Sequence, residues 1–99
     1  DEICDQAYIN VTNSLPQIVA GIRALNPDAK IVLLGYTNPV PLLPAWNRYF
    51  SRLNRFAQDL AAQEGLTYVA IPRAQTAADG HPTVKGHKYI AQQILNTIQ

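Results

Sequence analysis

Apolar residues recur along this chain in two rhythms. Tyr8, Val11, Leu15, Ile18, Ile22 and Leu25 are spaced alternately three and four apart, which makes one stripe on a helix. Pro16 falls inside the stripe and has no backbone donor. The pattern therefore predicts a kink there, or a helix that begins near Ser14. Asn26-Pro27 ends it, because the residue before a proline is pushed out of helical geometry. Residues 31–36 (Ile-Val-Leu-Leu-Gly-Tyr) are apolar without alternation, as in a strand buried on both faces. Residues 37–44 carry three prolines and can be neither regular helix nor central strand. They predict a stiff loop at the C-terminal end of a strand, where open α/β sheets bind ligands. A second helix follows over 45–64, with Trp46, Tyr49, Phe50, Leu53, Phe56 and Leu60 inward and Gly65 as its left-handed cap. Residues 67–71 predict a second strand, stopped by Pro72. After a polar loop, a third helix over 84–98 turns Ile90, Ala91, Ile94, Leu95 and Ile98 inward.

The order helix, strand, helix, strand, helix is the grammar of an α/β fold with parallel strands and right-handed crossovers. Two buried strands make too small a sheet, and the first would leave an apolar edge unpaired. Residues 1–99 are therefore expected to form a single partial domain, completed by a separate segment or by a dimer covering the open edge. The bulk numbers agree with a small domain or a piece of one. Of 99 residues 47% are hydrophobic, and the net charge is +1. That argues against disorder and against a nucleic-acid partner. No run of about 18 apolar residues exists, so no transmembrane segment is expected. The acidic start, Asp1 to Asp5, has neither an initiator Met nor a signal-peptide core, so the chain is expected to begin inside a longer protein. Cys4 is the lone cysteine: a free thiol, or one paired with a segment outside the chain.

Candidate chemistry concentrates in residues 79–87, Asp-Gly-His-Pro-Thr-Val-Lys-Gly-His. A turn needs no histidine, whereas a site that deprotonates a hydroxyl does, with a carboxylate nearby to orient it. Asp79 has two readings: plain Asp-Gly turn chemistry, or the acid that orients His81. A backbone carbonyl could do the latter instead. His87 would join Asp79 and His81 in a metal site only with further ligands, which the chain lacks. Gly86 marks a close backbone approach. Ser14 and Ser51 are the only serines, one a plausible helix cap and the other inside a helix. Neither stands on the strand-to-helix elbow that exposes a nucleophile. Arg48, Arg52 and Arg55 share the polar face of the second helix, with Asp59 four residues beyond Arg55. They could bind phosphate groups, but a solvated face with one helical ion pair is the favoured reading. Tyr36, Asn38, Leu42, Leu43 and Trp46 border the loop above the first strand and are candidate pocket residues, with hydrophobic packing as the alternative.

His81-Pro82-Thr83, Gly86 and the apolar run Ile90-Ala91, Ile94-Leu95 resemble the C-terminal block of the SGNH (GDSL-type) hydrolases, which are esterases, lipases and acylhydrolases. In that family the acid stands three residues before the histidine, a place held here by Ala78; Asp79 stands two before. The family's position after the Gly, held here by His87, is often aromatic or His, and the resemblance therefore implies packing for His87. The resemblance implies a flavodoxin-like three-layer, doubly wound parallel sheet, of which this chain is the C-terminal half. It implies ester hydrolysis through an acyl-serine, with His81 as general base, Asp79 as its partner, a small-molecule or lipid ester as substrate, and no metal or organic cofactor. The family's Gly-Asp-Ser-Leu nucleophile turn, oxyanion Gly and Gly-x-Asn-Asp block are not in this chain. The resemblance thus places the serine in the N-terminal half. The alternative function is a non-catalytic binding or interaction module that keeps the fold. A receiver- or flavodoxin-type module has neither an acidic phosphoacceptor cluster nor a phosphate-binding Gly loop to support it.

Overall fold

A computed structural model describes residues 2–98; Asp1 and Gln99 lie outside them. Helix α1 spans Glu2–Leu25, strand β1 Val32–Leu34, helix α2 Pro44–Glu64, strand β2 Thr67–Val69 and helix α3 Val84–Ile98, with a 3-10 turn at Arg73–Gln75. The two strands are parallel, with Val32 opposite Thr67 and Leu34 opposite Val69. The Gly35 amide continues the pairing onto the Val69 carbonyl at 2.8 Å. The chain is α/β, as its alternating pattern requires.

Helix α2 follows its sequence signals closely. Pro44 occupies the first turn, where its missing N–H costs nothing. Gly65 closes the other end at φ +68°, its amide bonded to the Ala61 carbonyl. Leu53, Ala57, Leu60 and Ala61 are buried, while the aromatic residues Trp46, Tyr49, Phe50 and Phe56 are only half-buried. Helix α1 packs against α2 through Tyr8, edge-on to Phe56 at 6.4 Å, and Arg52, whose guanidinium lies 4.1 Å from the Tyr8 ring centre.

Four expectations are corrected. First, α1 begins at Glu2 and runs through Pro16 without a break. Losing one backbone hydrogen bond does not end a helix whose other turns are intact and packed on a neighbour. Second, the buried residues of α1 are Cys4 and Val19, whereas Ile18, Ile22 and Leu25 are exposed, Leu25 at 91%. One neighbouring helix covers only part of the stripe, so its flank stays out. Third, both strands are three residues long, and neither residues 31–36 nor 67–71 are strand throughout. In β1, Val32 and Leu33 are half-buried and Leu34 is exposed, so the strand is not covered on both faces. A two-stranded sheet is too narrow to bury a strand fully. Fourth, on α3 only Gly86 and Ile90 are buried; Ala91, Leu95 and Ile98 are exposed and Ile94 is half-buried.

At the N-terminal ends of the strands, cations sit over helix ends. Arg23 donates to the Glu64 carbonyl at 2.8 Å and Lys30 to the Ile98 carbonyl at 3.5 Å. Both arrangements suit the negative pole of a helix. No described helix is long and apolar enough to cross a membrane.

Candidate functional site

The corner that carries His81 is built from local bonds. The Ala77 and His81 residues are tied by an amide-to-carbonyl bond of 2.8 Å, and the Gly80 amide closes the turn onto the Ala77 carbonyl at 3.0 Å. Gly80 has φ +82°, a conformation open to glycine, and a side chain there would press on Pro39. The histidine corner therefore rests directly on the loop that follows β1. Thr76 and Pro82 form an isolated antiparallel bridge. Beyond it the Thr83 hydroxyl accepts the Gly86 amide at 3.0 Å, a side-chain cap on the first turn of α3. The Gln75 carbonyl accepts the Thr83 amide at 3.1 Å, and a Cβ on residue 86 would overlap that same carbonyl. Gly86 thus has the close-approach role expected of it.

Asp79 engages His81 twice. Its Oδ1 accepts the His81 amide at 3.0 Å, the local turn bond that aspartate makes readily. Its Oδ2 lies 3.4 Å from His81 Nδ1, with the two side chains 69% and 83% exposed. The Asx turn and the carboxylate-imidazole contact are therefore compatible uses of one side chain. His87 is exposed on α3, which corrects the packing expected of it: it stands off the face that buries Gly86 and Ile90. Among the described residues no group of three or more His, Cys, Asp and Glu side chains could hold a metal ion.

The loop after β1, which Gly80 touches, also borders a cleft of about 280 Å³ whose walls include Tyr36, Asn38, Asn47, Asn54 and Arg73 and, among the described residues, none of 79–87. Its walls are held by polar ties. Asn54 accepts the Tyr36 amide at 2.8 Å and donates to the Tyr36 carbonyl at 2.9 Å. Asn47 accepts from Asn38 at 2.6 Å and donates to the Pro41 carbonyl. Arg73 donates to the Asn38 carbonyl, and the Thr37 hydroxyl to that of Ile71 at 2.8 Å. Of the candidate pocket residues, Tyr36 and Asn38 line the cleft and Leu42 and Trp46 do not. Leu42 is 92% exposed, and Trp46 packs edge-on to Tyr49 at 5.9 Å. Asn47, Asn54 and Arg73 were not anticipated. Two asparagines seven residues apart inside a helix, where asparagine is a poor former, are the signal that could have found the first two. Ser51 also lines the cleft, from the middle of α2 rather than from a strand-to-helix elbow.

No curated protein and no solved structure matches the chain. The GDSL-like Lipase/Acylhydrolase family matches it over residues 3–89, a span that takes in both strands, the cleft and the His81 corner. By that match the chain belongs to the GDSL-like Lipase/Acylhydrolase family.

Proposed function

We propose that this chain supplies the base of a serine-dependent ester hydrolase, with His81 taking the proton of a serine hydroxyl and Asp79 orienting and stabilising the imidazolium. The observation that carries this reading is the Asp79 carboxylate 3.4 Å from His81 Nδ1 at an exposed strand-to-helix corner. An exposed pair of this kind contributes little to stability, and the Asx turn through Oδ1 leaves Oδ2 free to face the imidazole. With Nδ1 facing the carboxylate, Nε2 is the nitrogen left for the nucleophile. The serine attacks the ester carbonyl as Nε2 takes its proton. The tetrahedral adduct then expels the alcohol, which leaves with that proton, and water releases the acyl group by the same two transfers in reverse order. No serine on a strand-to-helix elbow is found among the described residues. The nucleophile therefore belongs to an N-terminal half present as a separate segment, which also completes a flavodoxin-like three-layer sheet; a second copy covering the β1 edge is the other arrangement. The ester, small-molecule or lipid, enters beside Tyr36 and Asn38.

The test uses the intact protein that carries this chain. His81→Ala should lower kcat by about three powers of ten or more, and His87→Gln by less than about tenfold. Asp79→Asn should lower kcat strongly by favouring the wrong tautomer. A near-silent Asp79→Asn would give the orienting role to a backbone carbonyl, and reversed effects of the two histidine variants would remove His81 from the site. A parent protein that neither hydrolyses p-nitrophenyl acetate nor takes up a fluorophosphonate would favour the non-catalytic binding module.

A further inference from the structure

Val40-Pro41-Leu42-Leu43-Pro44 is a run of five apolar residues, and all five are exposed. Leu42 stands out at 92% and Leu43 at 51%. Single exposed apolar side chains are ordinary on a protein surface, whereas a contiguous exposed run marks a contact site. The run stands at the rim of the cleft, with Pro41 in its wall. The stem of the same loop touches the Gly80 turn through Pro39. It leaves β1 at the strand's C-terminal end, whereas a strand added to the sheet would pair along the β1 edge.

The backbone of this run is already largely spent. Pro41 and Pro44 have no N–H to satisfy. The Val40 amide donates to Asn38 Oδ1 at 2.8 Å and the Leu43 amide to the Val40 carbonyl at 3.1 Å. The Pro41 carbonyl accepts from Asn47, and the Leu43 carbonyl accepts the Trp46 and Asn47 amides, each at 3.1 Å. Docking a peptide strand needs a row of free N–H and C=O groups, which this turn does not offer. A hydrocarbon surface makes the opposite demand, that polar backbone groups be satisfied before they leave water.

Charge narrows the choice further. Residues 29–58 contain no Asp or Glu. Arg48, one turn beyond Pro44, and Arg55, two turns beyond Arg48, are exposed and have no carboxylate within ion-pair distance among the described residues. Arg52 is paired with Asp5 of α1 at 3.4 Å, whereas the helical Arg55–Asp59 pair does not form among the described residues. Trp46, half-buried in the first turn of α2, brings a ring type favoured where lipid meets water. A leucine tip backed by unpaired arginines complements an anionic lipid surface, with hydrocarbon for the one and headgroups for the other.

We infer that residues 40–44 dock the protein on an anionic lipid surface, Leu42 and Leu43 entering the acyl boundary and Arg48 and Arg55 lying against the headgroups. Docked this way, the cleft has one rim at the lipid. The inference goes beyond the ester-hydrolase reading and does not rest on it, because docking is a binding event measured without catalysis.

The intact protein that carries this chain is sedimented with vesicles of phosphatidylcholine containing phosphatidylglycerol at about one lipid in four. Leu42→Ser/Leu43→Ser should lower the partition coefficient by about tenfold or more. Arg48→Gln should lower it by about fivefold, and pure phosphatidylcholine vesicles should bind the parent at least about tenfold more weakly. Added salt should weaken binding without erasing the gap between the parent and the leucine variant. Because both leucines are exposed, that variant should keep the urea midpoint of the parent. His81→Ala should bind as the parent does whether or not the parent hydrolyses an ester, so failure of the hydrolase reading leaves the docking result standing. A parent that does not sediment with the mixed vesicles at low salt overturns the inference. So does binding that the leucine substitutions leave unchanged, which is adsorption by charge alone. Absence of binding together with a lower urea midpoint in the leucine variant would put the N-terminal half over the loop instead.

Discussion

Tyr68 joins the sheet to α2 through its hydroxyl. A side chain on Gly35 would collide with that hydroxyl, so residue 35 is glycine for room rather than for flexibility. Burial raises the phenol above its ordinary value of about 10, and a hydrogen bond with Gln58 pulls part of the way back. Because the folded protein holds this proton more tightly than the unfolded chain, the contribution to stability is complete below about pH 10. It is lost as the pH rises through the folded value. Tyr68→Phe should therefore flatten the alkaline limb of stability: urea midpoints between pH 8 and 11 should fall less in the variant than in the parent. Identical slopes would show that another group sets the limb. Tyr49 is raised in the same direction, chiefly by burial and then by the neighbouring Tyr36 and Cys4, so a residual slope is expected in the variant.

The elements differ in how far their residues announced them. Helix α2 was readable to within a residue, because Pro44 and Gly65 punctuate it and its apolar spacing is regular. The boundaries of α3 were equally plain. The start of α1 was missed because Pro16 weighed more in the pattern than it does in a long packed helix. Apolar residues 31–36 promised a buried strand, but burial depends on how many strands stand beside it, which local sequence does not contain. The site divides along the same line. His81, Asp79 and Gly86 are close in sequence, so that the corner they share was legible there, whereas the cleft unites Asn38, Asn54 and Arg73 from three distant segments. Gly86 offers the sharpest test at this scale. Gly86→Ala forces a methyl into the Gln75 carbonyl, backbone that cannot turn aside. It should cost roughly 2–4 kcal/mol in urea unfolding and loosen the His81 corner with it. A variant as stable as the parent would mean that α3 can shift freely from the 3-10 turn.

In the molecule as a whole, apolar surface is left over. Ile18, Ile22 and Leu25 of α1, Leu34 of β1 and Leu95 of α3 are all exposed, and β1 pairs on one side only among the described residues. Such an edge invites another strand. Residues 1–99 expressed alone should therefore be unfolded or self-associated by sedimentation, and inert to a fluorophosphonate. Adding the proposed N-terminal half should give a defined complex that takes up the label. A stable monomer that labels without its complement would contradict both the partial-domain reading and the missing serine.

The double bond from Asn54 to the backbone of Tyr36 has a consequence for how this scaffold can change. Two pins at the end of β1 fix both the height and the rotation of α2 against the strand. The intervening loop is tied to α2 through Asn47 and, at its first three residues, to Ile71, Arg73 and the Gly80 turn. Residues 40–43 can therefore vary in length or composition while α2 keeps its place, whereas Thr37, Asn38 and Pro39 are held by Ile71, Arg73 and the Gly80 turn. Variation can thus accumulate in one short segment without disturbing the frame that carries the Asp79–His81 pair.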